Sequence, residues 1–249
     1  MNEGLMSKNG EQVQNLSYTL CSGLRSLGIL KFLLEGDTLA LFGCCAESAE
    51  IYNSVNRLIK NGMPYDEELY NLSNYQCFFD SLFSKGICET KKIIKYMPVD
   101  QSYSDDRVKY NFVRGLIELI LSLESDCNTT ISVLDELSPL AQDAVIAKLI
   151  CEALLTKNEK FFEKSMEEYL SFRMHQIEIN EEVMVGEECL SIEALALIRM
   201  SKEMGMENEF KHVLVPAMFV NKYPDPVSYS SDYKIVIDGS MFNKQYWVQ

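Results

Sequence analysis

The sequence predicts a mainly α-helical fold of packed antiparallel helical hairpins, bundle-like or α-solenoid-like, followed by a short extended or β C-terminal tail. Three observations predict it. Apolar residues recur at helical spacing from Val13 to Met204. Several of these runs open on a capping side chain or close on glycine, as with Asp37 and Gly62, Asn158, or Ser191 and Gly205. The pattern changes only near Asn221, where Lys-Tyr-Pro-Asp-Pro forms a turn ahead of Val-Ser-Tyr-Ser and Tyr-Lys-Ile-Val-Ile, the composition of a small hairpin or strap. Residues 1–249 therefore read as one helical domain, with a flexible start over 1–10 and an extended tail over 221–249 packed on the helical body. Trp247 is the expected anchor of that tail.

The first helix is expected over 12–34, carrying Val13, Leu16, Leu20, Leu24, Leu27 and Leu30, with Gly23 and Gly28 as its weak points. Asp37 caps the second, which runs through Phe42, Ala49, Tyr52 and Val55 to Asn61-Gly62, and Pro64 stands beyond it as a stop. Asp66 is expected to start a third, with Leu69, Leu72, Phe78, Phe79 and Leu82, closed by Lys85-Gly86. A shorter helix over 88–97 ends before Pro98, and the polar stretch 99–105 is where a domain boundary would fall.

Periodicity returns over 105–124 through Val108, Phe112, Leu116 and Ile120. Residues 131–137 suit a short helix, and Ser138-Pro139 is read as the opening of another, in the order N-cap then proline. Asn158 caps a helix over 161–173, while 177–185 mixes β-branched and acidic residues without a period. Ser191, with Glu193 beside the positive end of the helix dipole, opens the clearest helix of the chain. Its apolar residues Ile192, Ala194, Leu195, Ala196, Leu197, Ile198 and Met200 spread beyond one stripe, which marks a central packing element. Gly205 stops it, and 211–220 reads as a short extended segment. The helix starts are unevenly spaced and the tetratricopeptide signature is absent, so no fixed repeat is visible.

Charge and composition narrow the function classes. Against 37 acidic residues stand 23 basic ones, a net charge of −14 that would repel a phosphate backbone and disfavours nucleic-acid binding. Ten acids and three bases fall between Asn158 and Glu193, so half of the net charge sits in that stretch. Such a patch can dock a basic protein, although a charge run is also what a solvated helix face looks like. The candidate partner-binding residues are Glu167, Glu168, Glu181, Glu182, Glu187 and Glu188. The start of the chain lacks the basic and apolar regions of a secretory signal, and Arg25 and Lys31 interrupt the apolar stretch after Leu16, so neither export nor membrane spanning is expected. A cytoplasmic protein with eight reduced core cysteines follows.

Catalytic parts are scarce. The cysteines show no C-x-x-C, no phosphate loop or nucleophile elbow is present, and His212 has no nucleophile beside it. Cys44-Cys45 lies beside Glu47 and Glu50, the opposite of the positive surroundings that would activate a thiol. His175 and Glu178 share a helix face with Glu167 and Glu168 within reach, but a di-iron bundle needs Glu-x-x-His on two helices. An exposed histidine near the helix C-terminus accounts for it. No cofactor, no metal and no enzymatic activity are expected.

Over residues 189–220, the order of an Ala/Leu-rich helix, a Lys-Glu-Met-Gly stop and a segment reaching Val215-Pro216 resembles the C-terminal region of the immunity protein 49 family of bacterial polymorphic toxin systems. The resemblance implies a cytoplasmic antitoxin-like protein that binds a cognate, basic toxin domain and blocks it without catalysis. It carries no toxin-contact motif, so the candidate residues come from the charge argument alone. The alternative is a helical-repeat scaffold or regulator that takes a peptide or protein partner in a groove. A metal-dependent helical enzyme using His175 ranks behind both.

Overall fold

The computed structural model describes residues 3–72, 75–99, 107–123, 141–179, 186 and 188–221. Eight helices lie among them: α1 (Glu3–Glu35), α2 (Thr38–Lys60), α3 (Gln76–Ile94), α4 (Arg107–Ser122), α5 (Gln142–Thr156), α6 (Glu159–Glu178), α7 (Ile192–Glu203) and the single turn α8 (Met218–Asn221). The fold is mainly α, and no strand occurs among the described residues; the one β-type contact is an isolated bridge between His212 and Val215. The connector at 100–106, the expected helix at 131–137, Ser138-Pro139, and the expected hairpin with Trp247 lie outside the described residues.

Helix starts follow local chemistry. Asp37 accepts the Ala40 N–H at 2.9 Å, Asn158 accepts the Phe161 N–H at 3.1 Å, and the Ser191 hydroxyl accepts the Ala194 N–H at 3.2 Å. α1 and α2 form a hairpin through Gly36, which takes φ 69°, a left-handed conformation a side chain disfavours. Gly28 is not a kink: α1 runs through it, and a Cβ there would meet Cys44 Cβ at 2.9 Å. The missing side chain lets α1 approach α2 closely, in one of the most extensive helix pairings of the fold.

Three expectations need correction. Asp66 does not start a helix. The Gln14 side chain holds its backbone from both sides, accepting its N–H at 2.8 Å and donating to its C=O at 3.3 Å, and Asp66 in turn closes a turn onto Glu68 and Tyr70. α3 begins instead at Gln76. Likewise α5 starts at Gln142, because Ala141 is extended (φ −95°, ψ 129°). The third concerns 211–220, which folds back rather than extending. The Val215 N–H bonds the His212 C=O at 3.0 Å, the Leu214 N–H bonds His212 Nδ1 at 3.2 Å, and α8 follows. The turn delivers Phe219 to the rings of Phe32, Phe42 and Phe83, at centroid distances of 4.9, 5.7 and 5.7 Å.

α7 is the centre of the packing. Residues 194–201 are all buried, and α7 packs along α3. One contiguous apolar cluster takes residues from all eight helices, from Cys21 on α1 to Phe219 on α8. Five cysteines (Cys21, Cys44, Cys45, Cys77, Cys151) are free and buried as expected, but Cys88 and Cys189 are exposed, because one sits just past the break in α3 and the other in the turn before α7.

The junction of α3 and α7 explains the glycine at position 86. Gly86 adopts φ 77°, ψ −174° and breaks α3 in its middle. In an unbroken helix the Ile87 N–H would bond the Phe83 C=O, four residues back. Here both groups turn to α7: Arg199 donates to the Phe83 C=O at 2.6 Å, and Glu203 accepts the Ile87 N–H at 2.7 Å. Arg199 and Glu203 are themselves paired at 2.8 Å. Glycine suits the backbone angle at position 86, and a Cβ there would also push the Glu203 carboxylate from its place beside the Ile87 N–H.

A second buried charge pair ties the first three helices together. Arg25 Nε on α1 meets Asp80 Oδ1 on α3 at 2.7 Å, and the Ser48 hydroxyl of α2 donates to Asp80 Oδ2 at 2.6 Å. Both charged side chains are almost fully buried, and Arg25 also donates to the Gln76 C=O. Each is acceptable in the interior only because the other and these hydrogen bonds are present.

Candidate functional site

α6 carries most of the acidic stretch that is described. Asn158 fixes its start, and Phe162, Ser165, Met166, Tyr169 and Leu170 turn one face into the core. The opposite face is solvated, and it presents Glu167 and Glu168 as exposed residues. Lys164 lies 4.0 Å from Glu168, one helical turn away, a solvated pairing that leaves the patch negative. Between this face and α5 runs a shallow groove edged by Lys164, Glu167, Glu168 and His175, with Val145 on its α5 side. Val145 is 39% exposed, an apolar contact point beside two carboxylates.

The other acids divide by what they touch. Glu159 accepts the Glu207 N–H at 2.8 Å and Glu163 accepts the Glu209 N–H at 3.3 Å, so these two fasten the segment after α7 onto α6. Glu188 is exposed, and its carboxylate accepts the Gly186 N–H at 2.8 Å, closing the turn that leads to α7. Glu181, Glu182 and Glu187 lie outside the described residues. Of the six candidate residues, the structure therefore brings Glu167 and Glu168 together at one groove and places Glu188 in a separate turn. His175 is exposed in the last turn of α6. Among the described residues no group of three or more His, Cys, Asp or Glu could hold a metal ion, and no helix is long and apolar enough to cross a membrane.

Burial disfavours the thiolate at the adjacent Cys44 and Cys45. It pushes the Cys45 thiol well above the usual range, with Asp80 adding to the shift, and it raises Cys44 as well. Neither is poised as a nucleophile. His212 shifts the other way: partial burial lowers its pKa below the usual 6.5, consistent with a neutral ring whose Nδ1 accepts the Leu214 N–H.

A second concavity was not legible in the sequence. α4, α5 and α6 line a cleft of about 140 Å³, to which Tyr75 ahead of α3 and Glu193 in the first turn of α7 also contribute. Its lining mixes apolar and charged side chains. Val108 and Phe112 of α4, Ile146 of α5 and Phe172 of α6 provide the apolar part; Lys109, Asp143, Arg173 and Glu193 provide two charges of each sign. Lys109 stands over the Tyr75 ring at 5.9 Å. Arg173 donates to Gln176 Oε1 at 3.1 Å across one turn of α6. Tyr169 lines the cleft at 7% exposure, with its hydroxyl buried beside the Ser191 side chain. Burial pushes this phenol well above its usual range, the Glu193 carboxylate adds to the shift, and Arg173 opposes it. The only sequence signal for the cleft was the helical spacing that put Tyr169 on the buried face of α6.

Comparison of the chain with family models, with curated proteins and with solved structures finds no match.

Proposed function

We propose that this chain is a non-catalytic protein-binding domain, an immunity protein that occludes a cognate basic toxin domain in the cytoplasm. The observation that carries the reading is the groove between α5 and α6, where the exposed carboxylates of Glu167 and Glu168 flank the exposed apolar side chain of Val145. An apolar contact point with an acidic rim suits a positively charged protein surface, because complementary charge speeds encounter and fixes the docking register. The resemblance of residues 189–220 to the immunity protein 49 family supplies the partner class, and the net charge of −14 agrees with a basic partner rather than a nucleic acid. In this reading Glu188 is a further contact outside the groove, and Glu181, Glu182 and Glu187, which lie outside the described residues, remain candidates on charge alone.

The test is affinity capture from the native lysate at low and high salt, with the wild-type chain beside a Glu167→Lys, Glu168→Lys variant. Recovery of one basic protein at low salt, released at high salt and lost in the variant, is the expected result. Capture that ignores both salt and charge reversal overturns the acidic-interface mechanism. The same α5/α6 groove also favours a second reading, a scaffold that seats peptides, and recovery of several unrelated proteins insensitive to salt is its signature.

A further inference from the structure

The Arg25–Asp80 pair sets the register of α1 against α3, and one turn earlier on each helix stands a cysteine. Cys21 precedes Arg25 by four residues and Cys77 precedes Asp80 by three, spacings that return a side chain to the same helix face. The two thiols accordingly line one small cavity, together with Ser22, Arg25, Gln76 and Asp80. Ser48 of α2 touches both: the Cys21 thiol donates to its C=O at 3.3 Å, and its hydroxyl lies 3.5 Å from Cys77 Sγ. A hydrogen bond with Cys21, followed by burial, pushes the Cys77 thiol well above its usual range, the effect of a neighbouring sulfur in a closed setting.

Cys44 and Cys45 are no such pair, because successive residues on one helix do not face each other. The cavity beside Cys21 and Cys77 holds about 30 Å³, more than the roughly 10–15 Å³ that one water needs, which leaves room for a molecule as small as hydrogen peroxide. Ser22, among its lining residues, is exposed.

We propose that Cys21 and Cys77 form a redox pair, which hydrogen peroxide converts to a disulfide that clamps α1 to α3. One sulfur attacks a peroxide oxygen, the O–O bond breaks, and the leaving oxygen departs as water, giving a sulfenic acid. The second thiol then attacks that sulfur and expels its oxygen as water, so two thiols and one peroxide become one disulfide and two waters. A scarce thiolate at Cys77 makes the first step slow, and the clamp answers sustained oxidation rather than a brief pulse. Closing the loop from residue 21 to residue 77 restricts the unfolded chain and stabilises the oxidised fold. None of these residues lines the α5/α6 groove, so the pair is independent of the docking reading.

Peptide mass mapping after prolonged treatment with hydrogen peroxide tests the proposal, on the full chain carrying Cys88→Ser, Cys127→Ser and Cys189→Ser so that only the buried cysteines remain. The expected result is a single linkage, between Cys21 and Cys77, which lowers the mass by two hydrogens and is reversed by dithiothreitol. The linked form should melt about 5–10 °C higher than the reduced one. Cys21→Ser keeps a donor for the Ser48 C=O, so in the same background it should melt like the reduced chain, with no linkage and no rise after peroxide. Both thiols still free at the end, a sulfinic acid at either without a linkage, a linkage that forms only in denaturant, or a linked form that melts no higher would each overturn the proposal.

Discussion

Arg199 and Glu203 on α7 use the same kind of charged groups as Lys164 and Glu168 on α6, at the same spacing of four residues, and the two pairs do unlike work. The α7 pair is closed at 2.8 Å, its arginine side chain is 6% exposed, and each partner also takes up a backbone group freed by the break in α3. The α6 pair is 4.0 Å apart with side chains 74% and 44% exposed. Spacing along a helix therefore does not decide what an ion pair contributes; burial and the remaining hydrogen-bond partners do. Charge on α7 holds two helices in register, whereas the Lys164–Glu168 pair stays solvated on the outer face of α6.

Three substitutions test that contrast, and the largest effect belongs to the junction. Arg199→Ala leaves the Phe83 C=O and the Glu203 carboxylate without their partner, and should cost about 3 kcal/mol in denaturant unfolding. A loss below about 1 kcal/mol would show that the α3 break closes without α7. Gly86→Ala comes next, at roughly 2 kcal/mol, because it forces a side chain into an angle tolerated almost only by glycine and displaces Glu203. A neutral result there would mean that α3 can straighten through residue 86. The smallest effect belongs to the outer face: Glu167→Gln with Glu168→Gln should shift stability by less than about 0.5 kcal/mol in either direction. A drop comparable to that of Gly86→Ala would make these carboxylates part of the fold and remove them as a docking edge.

Much of the helical scaffold was legible from single residues. Asp37, Asn158 and Ser191 cap where their chemistry says they should, and Gly62 and Gly205 take positive φ just past the ends of α2 and α7. Asp66 misled because a capping aspartate and a turn-forming aspartate look alike until a neighbour chooses, and the neighbour is Gln14, 52 residues earlier. Gly28 misled similarly, its purpose being set by Cys44 and Leu41 on the facing helix. In the acidic stretch, the sequence gathered ten carboxylates into one region but could not separate Glu159 and Glu163, which hold the 207–209 backbone, from Glu167 and Glu168, which hold nothing comparable.

By itself, then, the sequence determined what depends on neighbours within about one helical turn: the helical class, most caps and stops, the all-round burial of α7 and the sign of the surface charge. Tertiary structure decided whatever joins residues distant along the chain. Arg199 and Glu203 reach Phe83 and Ile87 across 116 residues, and the cleft beside α6 draws its lining from α4, α5 and α6 together with Tyr75 and Glu193. Periodicity records which face of a helix is buried but not what is buried against it, because a core accepts many apolar neighbours of suitable volume. Partner identity at those long separations is fixed only when the helices dock and each buried polar group finds, or lacks, its complement.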